Sequence, residues 1–348
     1  MNTRRILVRA STTTGLPIAV ALVIVVCVFE FLAPPFRNVS NITNFIGNSV
    51  PVLLITVGVA IVIIGGGIDL SMGTVAGLSA GVTLWILVSG ASSLVAVLAG
   101  LGVGLAFGLL NGLLITIFGI SDFIVTLGTL SLASGALAVL VGETQLAGIH
   151  NSAFSAIANG RVIGIPNPIW IAALIALLVQ FFLAKTIFGR RTVALGVRSA
   201  AADSAGVRIN SVRLLTFTIS GLLAGASGVV LASQLGAAQA ALGAGFNLTA
   251  IAGAVIGGVS LAGGRGSVWA AICGGLLLAT IQQGLRFMGI DAIYFTIVTG
   301  LCIVGGVVFD RRVQQLGLSI ARRQHGDVSV NRERPSADHD IPATSVGR

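Results

Sequence analysis

A succession of apolar runs, each about the length of a bilayer crossing and parted by only a few polar residues, constrains this chain more than any other feature. A helix rises about 1.5 Å per residue, so about 20 apolar residues are needed to cross about 30 Å of hydrocarbon. Runs of that kind fall near residues 16–34, 46–64, 70–88, 92–118, 122–141, 168–187, 213–233, 246–262, 267–287 and 292–309. They predict an all-α integral membrane protein, a polytopic bundle of about ten transmembrane helices. A soluble fold fails on charge. Only 9% of the 348 residues are charged, against about 25% in soluble domains, too few to clothe a water-facing surface of this size. The divisions near Asp69, Gly119 and Gly264 are the least distinct, because glycine, serine and a lone charge interrupt nearly continuous apolar sequence there.

The basic residues supply a topology. Arg4, Arg5 and Arg9 form a first cluster, Lys185, Arg190, Arg191, Arg198, Arg208 and Arg213 a second, and Arg311, Arg312, Arg322 and Arg323 a third. Six expected spans separate the first two clusters and four separate the last two. Even numbers put all three on one side, the cytoplasm by the positive-inside rule, with both termini. The net charge of +9 thus reflects membrane orientation, and no nucleic-acid partner is expected. The N-terminal arginines before the Leu16–Ala33 run have the charge order of a signal peptide. The run is long, carries Glu30 near its end and lacks a small-residue cleavage site, and Val26 is too bulky for lipoprotein processing at Cys27, so an uncleaved first span is expected. Residues 1–320 read as one transmembrane domain, with a cytoplasmic loop over 185–213. Residues 321–348 read as a polar, disordered cytoplasmic tail.

Forty-seven glycines sit inside the apolar runs, where membrane helices tolerate them. Gly100, Gly104, Gly108 and Gly112 recur every four residues, as do Gly73, Gly77 and Gly81, each set along one helical face. Gly221/Gly225, Gly253/Gly257 and Ala271/Gly275 repeat likewise. Such faces let backbones approach closely and predict a compact bundle. Asp69 stands beside Gly65, Gly66 and Gly67, a charge and a triple glycine between two apolar runs. An ionisable group at membrane depth is a functional candidate, and unwound backbone there must line a cavity or be covered by protein. Asp69 also suits a cap at the head of the following span. A related glycine break at Gly257 and Gly258 hints at two related halves. Gly65, Gly66, Gly67, Asp69, Gly257 and Gly258 are candidates for a helix break or gate.

Within the basic loop, alanine-rich residues 199–205 predict a short helix ended by Gly206. Its small surface residues suit docking into a partner's groove. Lys185, the only lysine, lies in a segment without the glycines of a phosphate-binding loop. The chain is therefore not expected to be an enzyme, and ATP coupling would need a separate subunit. Cys27, Cys273 and Cys302 lie in apolar runs without metal or disulfide spacing, and His150, His325 and His339 are scattered. No metal and no cofactor are expected.

Gly66-Gly67-Ile68-Asp69-Leu70-Ser71-Met72-Gly73, Asn111-Gly112-Leu113-Leu114-Ile115, Phe123-Ile124-Val125-Thr126-Leu127-Gly128-Thr129 and the stretch from Ile256 to Gly264 occur in that order. Together they resemble the permease subunits of bacterial ATP-binding-cassette importers, in the ribose/xylose/galactose branch, over nearly the whole chain from Leu16 to Arg312. Branched-chain amino-acid permeases usually carry an asparagine-containing version of the Asp69 region, so Asp69 favours a sugar. The resemblance implies a monosaccharide permease in the bacterial cytoplasmic (inner) membrane, acting as a homodimer or paired permease. It also implies cytoplasmic ATPase subunits and an extracytoplasmic sugar-binding protein as partners. It makes Arg198, Ser199, Ala200, Ala201, Asp203 and Gly206 the ATPase-docking loop. Asn44, Asn48, Asn111, Thr126, Thr129 and Ser131 are candidates for a weakly polar translocation pathway. The chain departs from the pattern at Arg198-Ser199-Ala200, where asparagine and acids are common, and at Phe246-Asn247-Leu248-Thr249, where an aromatic is often followed by glutamate, leucine and aspartate.

The competing class is an ion-coupled secondary transporter or channel, which needs ionisable groups near the midplane. Glu30, Asp69, Asp122, Glu143 and Asp291 all fall near the ends of expected spans. An importer of nucleosides, polyols or branched-chain amino acids differs in solute and keeps the same mechanism.

Overall fold

The structure is a computed structural model that describes residues 15–142, 146, 151–291, 293–305 and 308. The expectations placed on the N-terminal arginines, Glu143, His150 and the 321–348 tail lie outside those residues.

Thirteen helices follow one another in the described chain: α1 (Leu16–Leu32), α2 (Val39–Ile64), α3 (Met72–Val88), α4 (Ser93–Ile117), α5 (Asp122–Val141), α6 (Ser152–Asn159), α7 (Asn167–Lys185), α8 (Ile187–Val197), α9 (Ser199–Ser204), α10 (Ile209–Leu235), α11 (Phe246–Ile256), α12 (Val268–Phe287) and α13 (Ile293–Gly305). A two-residue hairpin, β1 (Arg161–Val162) against β2 (Ile165–Pro166), leads into α7. Six helices (α2, α4, α5, α7, α10 and α12) have the length and composition to cross a membrane. α1, α3, α11 and α13 are apolar but span only 10–17 residues. Every expected run falls on one of these ten apolar helices, and the all-helical, many-span class follows. The run near 246–262 is shorter than its apolar extent, because α11 stops at Ile256 and glycine-rich loop follows.

The centre of the bundle is α2 and α10, with 78% and 67% of their span windows buried, against 17% for α7. α10 packs on α2, α3 and α4. The α4 glycine face meets the small residues of α10 directly. A methyl group built on Gly108 would stand 2.6 Å from the Phe217 carbonyl and 3.0 Å from the Gly221 Cα. Ser79 of α3 donates to the carbonyls of Gly100 (2.8 Å) and Gly225 (3.0 Å), tying three helices at one buried hydroxyl. Pro51 inside α2 has no N–H to offer the Gly47 carbonyl one turn earlier. Gln234 of α10 supplies the missing donor at 2.9 Å, and Ser227 donates to the Pro51 carbonyl at 2.8 Å. An intramembrane proline is thereby satisfied from a neighbouring helix.

Candidate functional site

Both glycine breaks turn out to be the same structural object. α2 ends with Gly65 in the helical region and Gly66 at φ +80°, and α11 ends with Gly257 helical and Gly258 at φ +93°. The Gly66 N–H donates to Ile63 and the Gly67 N–H to Val62, both at 2.9 Å. Gly258 donates to Val255 at 2.9 Å and Val259 to Ala254 at 3.0 Å. Each is a Schellman cap, in which a left-handed residue closes the last carbonyls of the helix. Only glycine adopts that conformation without a Cβ penalty. The glycines that sequence marks as helix breaks therefore end their helices cleanly and satisfy the freed backbone.

The segment after the first cap is fastened by side chains from four helices. Asp69, 2% exposed, accepts from the Ser71 N–H at 2.9 Å and the Ser71 hydroxyl at 2.7 Å, an Asx turn just ahead of α3 that leaves Ser71, not Asp69, as the N-cap residue. Its other oxygen lies 3.2 Å from the Ser220 hydroxyl of α10. Asn111 of α4 donates to Ser71 Oγ at 3.0 Å, and Asp122 of α5 accepts from the Ile68 N–H at 2.7 Å. Asn247 of α11 donates to the Leu70 carbonyl at 3.1 Å. This last bond gives the Asn247 departure a physical reason, since an ionised carboxylate has no hydrogen to donate.

The two breaks also touch each other, through α8. The Gly264 N–H donates to the Ile64 carbonyl at 2.9 Å. A methyl group on Gly263 would stand 3.0 Å from Gly66 Cα and 2.8 Å from the Gly196 carbonyl oxygen. One on Gly196 would overlap the Ile64 carbonyl and the Gly264 N–H. Gly196 sits near the end of α8, two residues before Arg198, the N-cap of α9. Ser199, Ala200, Ala201 and Asp203 of α9 are exposed and Ala202 is buried. The helix closes on Gly206 at φ +79°, with Gly206 N–H to Asp203 at 2.8 Å and Val207 N–H to Ala202 at 3.0 Å.

The pathway candidates do not converge. Asn111, Thr126 and Thr129 are buried, whereas Asn44, Asn48 and Ser131 are exposed. Asn44 accepts from Arg161, and Ser131 donates to the Leu127 carbonyl of its own helix at 3.2 Å. Asn111 Oδ1 and Thr126 Oγ1 are buried without a hydrogen-bond partner among the described residues. Sequence reasoning passed over Gly196 and Ser220, and read Arg213 only as one of a basic cluster that sets topology. Gly196 alone offered a sequence signal, a lone glycine just ahead of the expected docking helix. A cavity of about 180 Å³ opens between the first break, the α4–α5 turn and the head of α10, with Gly67, Asp122, Arg213, Thr216 and Phe217 among its lining residues.

Paired glycine-capped breaks, bolted by buried polar side chains and joined at a short exposed helix, define a many-span helical protein of the membrane-transport class. The chain belongs to the family described as branched-chain amino acid transport system / permease component, whose model matches residues 41–306. It is 37% identical over 312 residues to a probable ABC transporter permease protein of Sinorhizobium fredii, covering 89% of this chain and 93% of that one. It is 35% identical to the ribose import permease protein of Bacillus subtilis, covering 84% and 91%. The D-allose transport system permease protein of Escherichia coli is 36% identical, covering 84% and 90%. No solved structure matches the chain.

Proposed function

We propose that this chain is the permease subunit of an ATP-binding-cassette importer, carrying a monosaccharide handed over by an extracytoplasmic binding protein across the bacterial inner membrane. The observation that carries the reading is likeness to ribose and D-allose permeases over 84% of the chain, a stretch that includes both glycine breaks and α9. In this reading the ten apolar helices are ten crossings, with both termini in the cytoplasm. Of the four short helices, α3 and α11 reach across together with the glycine-capped loops beside them, where irregular backbone is tolerated if protein covers it. Two permease copies pair, and each presents Arg198, Ser199, Ala200, Ala201, Asp203 and Gly206 to a separate ATPase subunit. Energy arrives from outside the chain, so the permease has no ATPase site of its own. Motion of α9 reaches the breaks at Gly65–Gly67 and Gly257–Gly258 through Gly196.

The test is reconstitution. Proteoliposomes holding the permease with its ATPase and binding protein should concentrate D-ribose or D-allose only when ATP is supplied. The permease alone should neither hydrolyse ATP nor concentrate sugar. Uptake driven by a proton or sodium gradient without ATP would replace this reading with the secondary-transporter one.

A further inference from the structure

The cavity beside the first glycine break has room for a small solute. At about 180 Å³ it exceeds the about 10–15 Å³ that one water needs and falls below the about 300 Å³ where drug-sized pockets begin. Its lining is chemically mixed. Val62, Ile115 and Phe217 line it from a small buried apolar cluster with Val125, so part of the wall is apolar and includes an aromatic ring. Asp122 and Arg213 line the same space without an ion pair between them, and the Arg213 guanidinium has no partner among the described residues. Asp122 has spent one lone pair of each oxygen, on the Ile68 N–H at 2.7 Å and the Phe123 N–H at 3.0 Å. A carboxylate offers about four such positions, so acceptor capacity remains.

The ligand class follows from what is open and what is closed. The N–H groups of Gly65, Gly66 and Gly67 are all consumed by α2 carbonyls, so this wall is no anion-binding nest. The lining charges are of opposite sign and sum to zero. Arg213 offers a fork of donors and Asp122 offers acceptors, beside an apolar part of the wall. That arrangement suits a neutral molecule whose adjacent hydroxyls both donate and accept and whose C–H face is apolar.

We propose that this cavity is a subsite for a neutral polyhydroxylated solute on the docking-helix side of the bundle, with Asp122 accepting from its hydroxyls, Arg213 donating to them and Phe217 against its C–H face. The inference rests on the transport reading and gives the same carboxylate two duties. Asp122 holds the Ile68 N–H of the first break, so a solute there touches a group that fastens that break.

Saturation-transfer NMR with D-ribose on the permease in nanodiscs tests it. Wild type and Ser89→Ala, whose hydroxyl lies exposed just past the end of α3 and outside the cavity lining, should transfer saturation to the sugar. Arg213→Gln should weaken binding about tenfold, the loss of a charge-assisted hydrogen bond. Asp122→Asn should weaken it similarly while its amide oxygen still accepts from Ile68. If Asp122→Asn does not purify as a monodisperse protein, Arg213→Gln decides alone. Transfer absent in wild type, or unchanged in Arg213→Gln, overturns the subsite. ATP-driven uptake by the complete wild-type transporter, measured in parallel, separates the two failures: uptake without the subsite signal removes the subsite alone, whereas lack of ATP-dependent uptake removes the transport reading.

Discussion

Asp69 is held in place by donors from Ser71, two residues on, and from the distant Ser220, and this decides what its loss should do. Ser71 and Ser220 hydroxyls and the Ser71 N–H all converge on one carboxylate. Asp69→Ala would strand these groups in a buried setting, at about 1–3 kcal/mol for each one left unpaired. Asp69→Asn keeps an acceptor oxygen for Ser71 and should cost less. Thermal unfolding in detergent should therefore rank wild type above Asp69→Asn and Asp69→Ala last; equal melting of the two variants would show that the carboxylate does not fasten the segment. Asp69 stands out in sequence because a charge among apolar residues is visible by itself. Its partner Ser220 does not, because one more hydroxyl in an apolar helix carries no sign of what it faces. The same blindness explains the scattered pathway candidates. Polarity singles out Asn44, Asn48 and Ser131, yet which side of a helix faces protein is set by neighbours that the residue itself does not encode.

Among the helices, the apolar runs were legible because the length of a crossing is fixed by the bilayer, and the ends of α2 and of α9 were legible because glycine is their terminator. The partner of each glycine face was not. A repeat every four residues announces close approach but holds no address, and only the fold shows α4 seated on α10. The consequence is a sharp contrast within one helix. A methyl group on Gly104 would stand 2.5 Å from the Gly225 nitrogen and 2.6 Å from its Cα, whereas one on Gly102 meets nothing within 4 Å. Gly104→Ala should destabilise by about 1–3 kcal/mol through overpacking. Gly102→Ala should be neutral or gain up to about 1 kcal/mol from helix propensity. The same melting assay reads both, and similar losses in the two variants would contradict the α4–α10 contact.

In the whole molecule α9, the proposed docking helix, follows closely on Gly196, whose backbone packs between Ile64 of the first break and Gly264 beyond the second. An alanine there collides with both breaks at once, so strain of about 1–3 kcal/mol would fall on whichever conformation packs them closest. Uptake by the assembled transporter should then fall about 5- to 150-fold while the ATPase subunit still co-purifies. Loss of co-purification instead would mean that Gly196 serves docking alone. All of this requires α9 to face the cytoplasm. Ala201 is exposed on α9, which makes it a clean position for a single cysteine once Cys27, Cys273 and Cys302 are replaced by serine or alanine. A membrane-impermeant maleimide should label Ala201→Cys in inside-out vesicles and leave it untouched in right-side-out ones. The basic clusters flanking α9 predict this side through the positive-inside rule, and in the proposed ten-span topology the even span counts would carry it to both termini. Labelling from the outer face would invert every helix of the bundle and detach α9 from any cytoplasmic ATPase, whereas labelling from the inner face alone leaves the path from α9 through Gly196 to the two breaks intact.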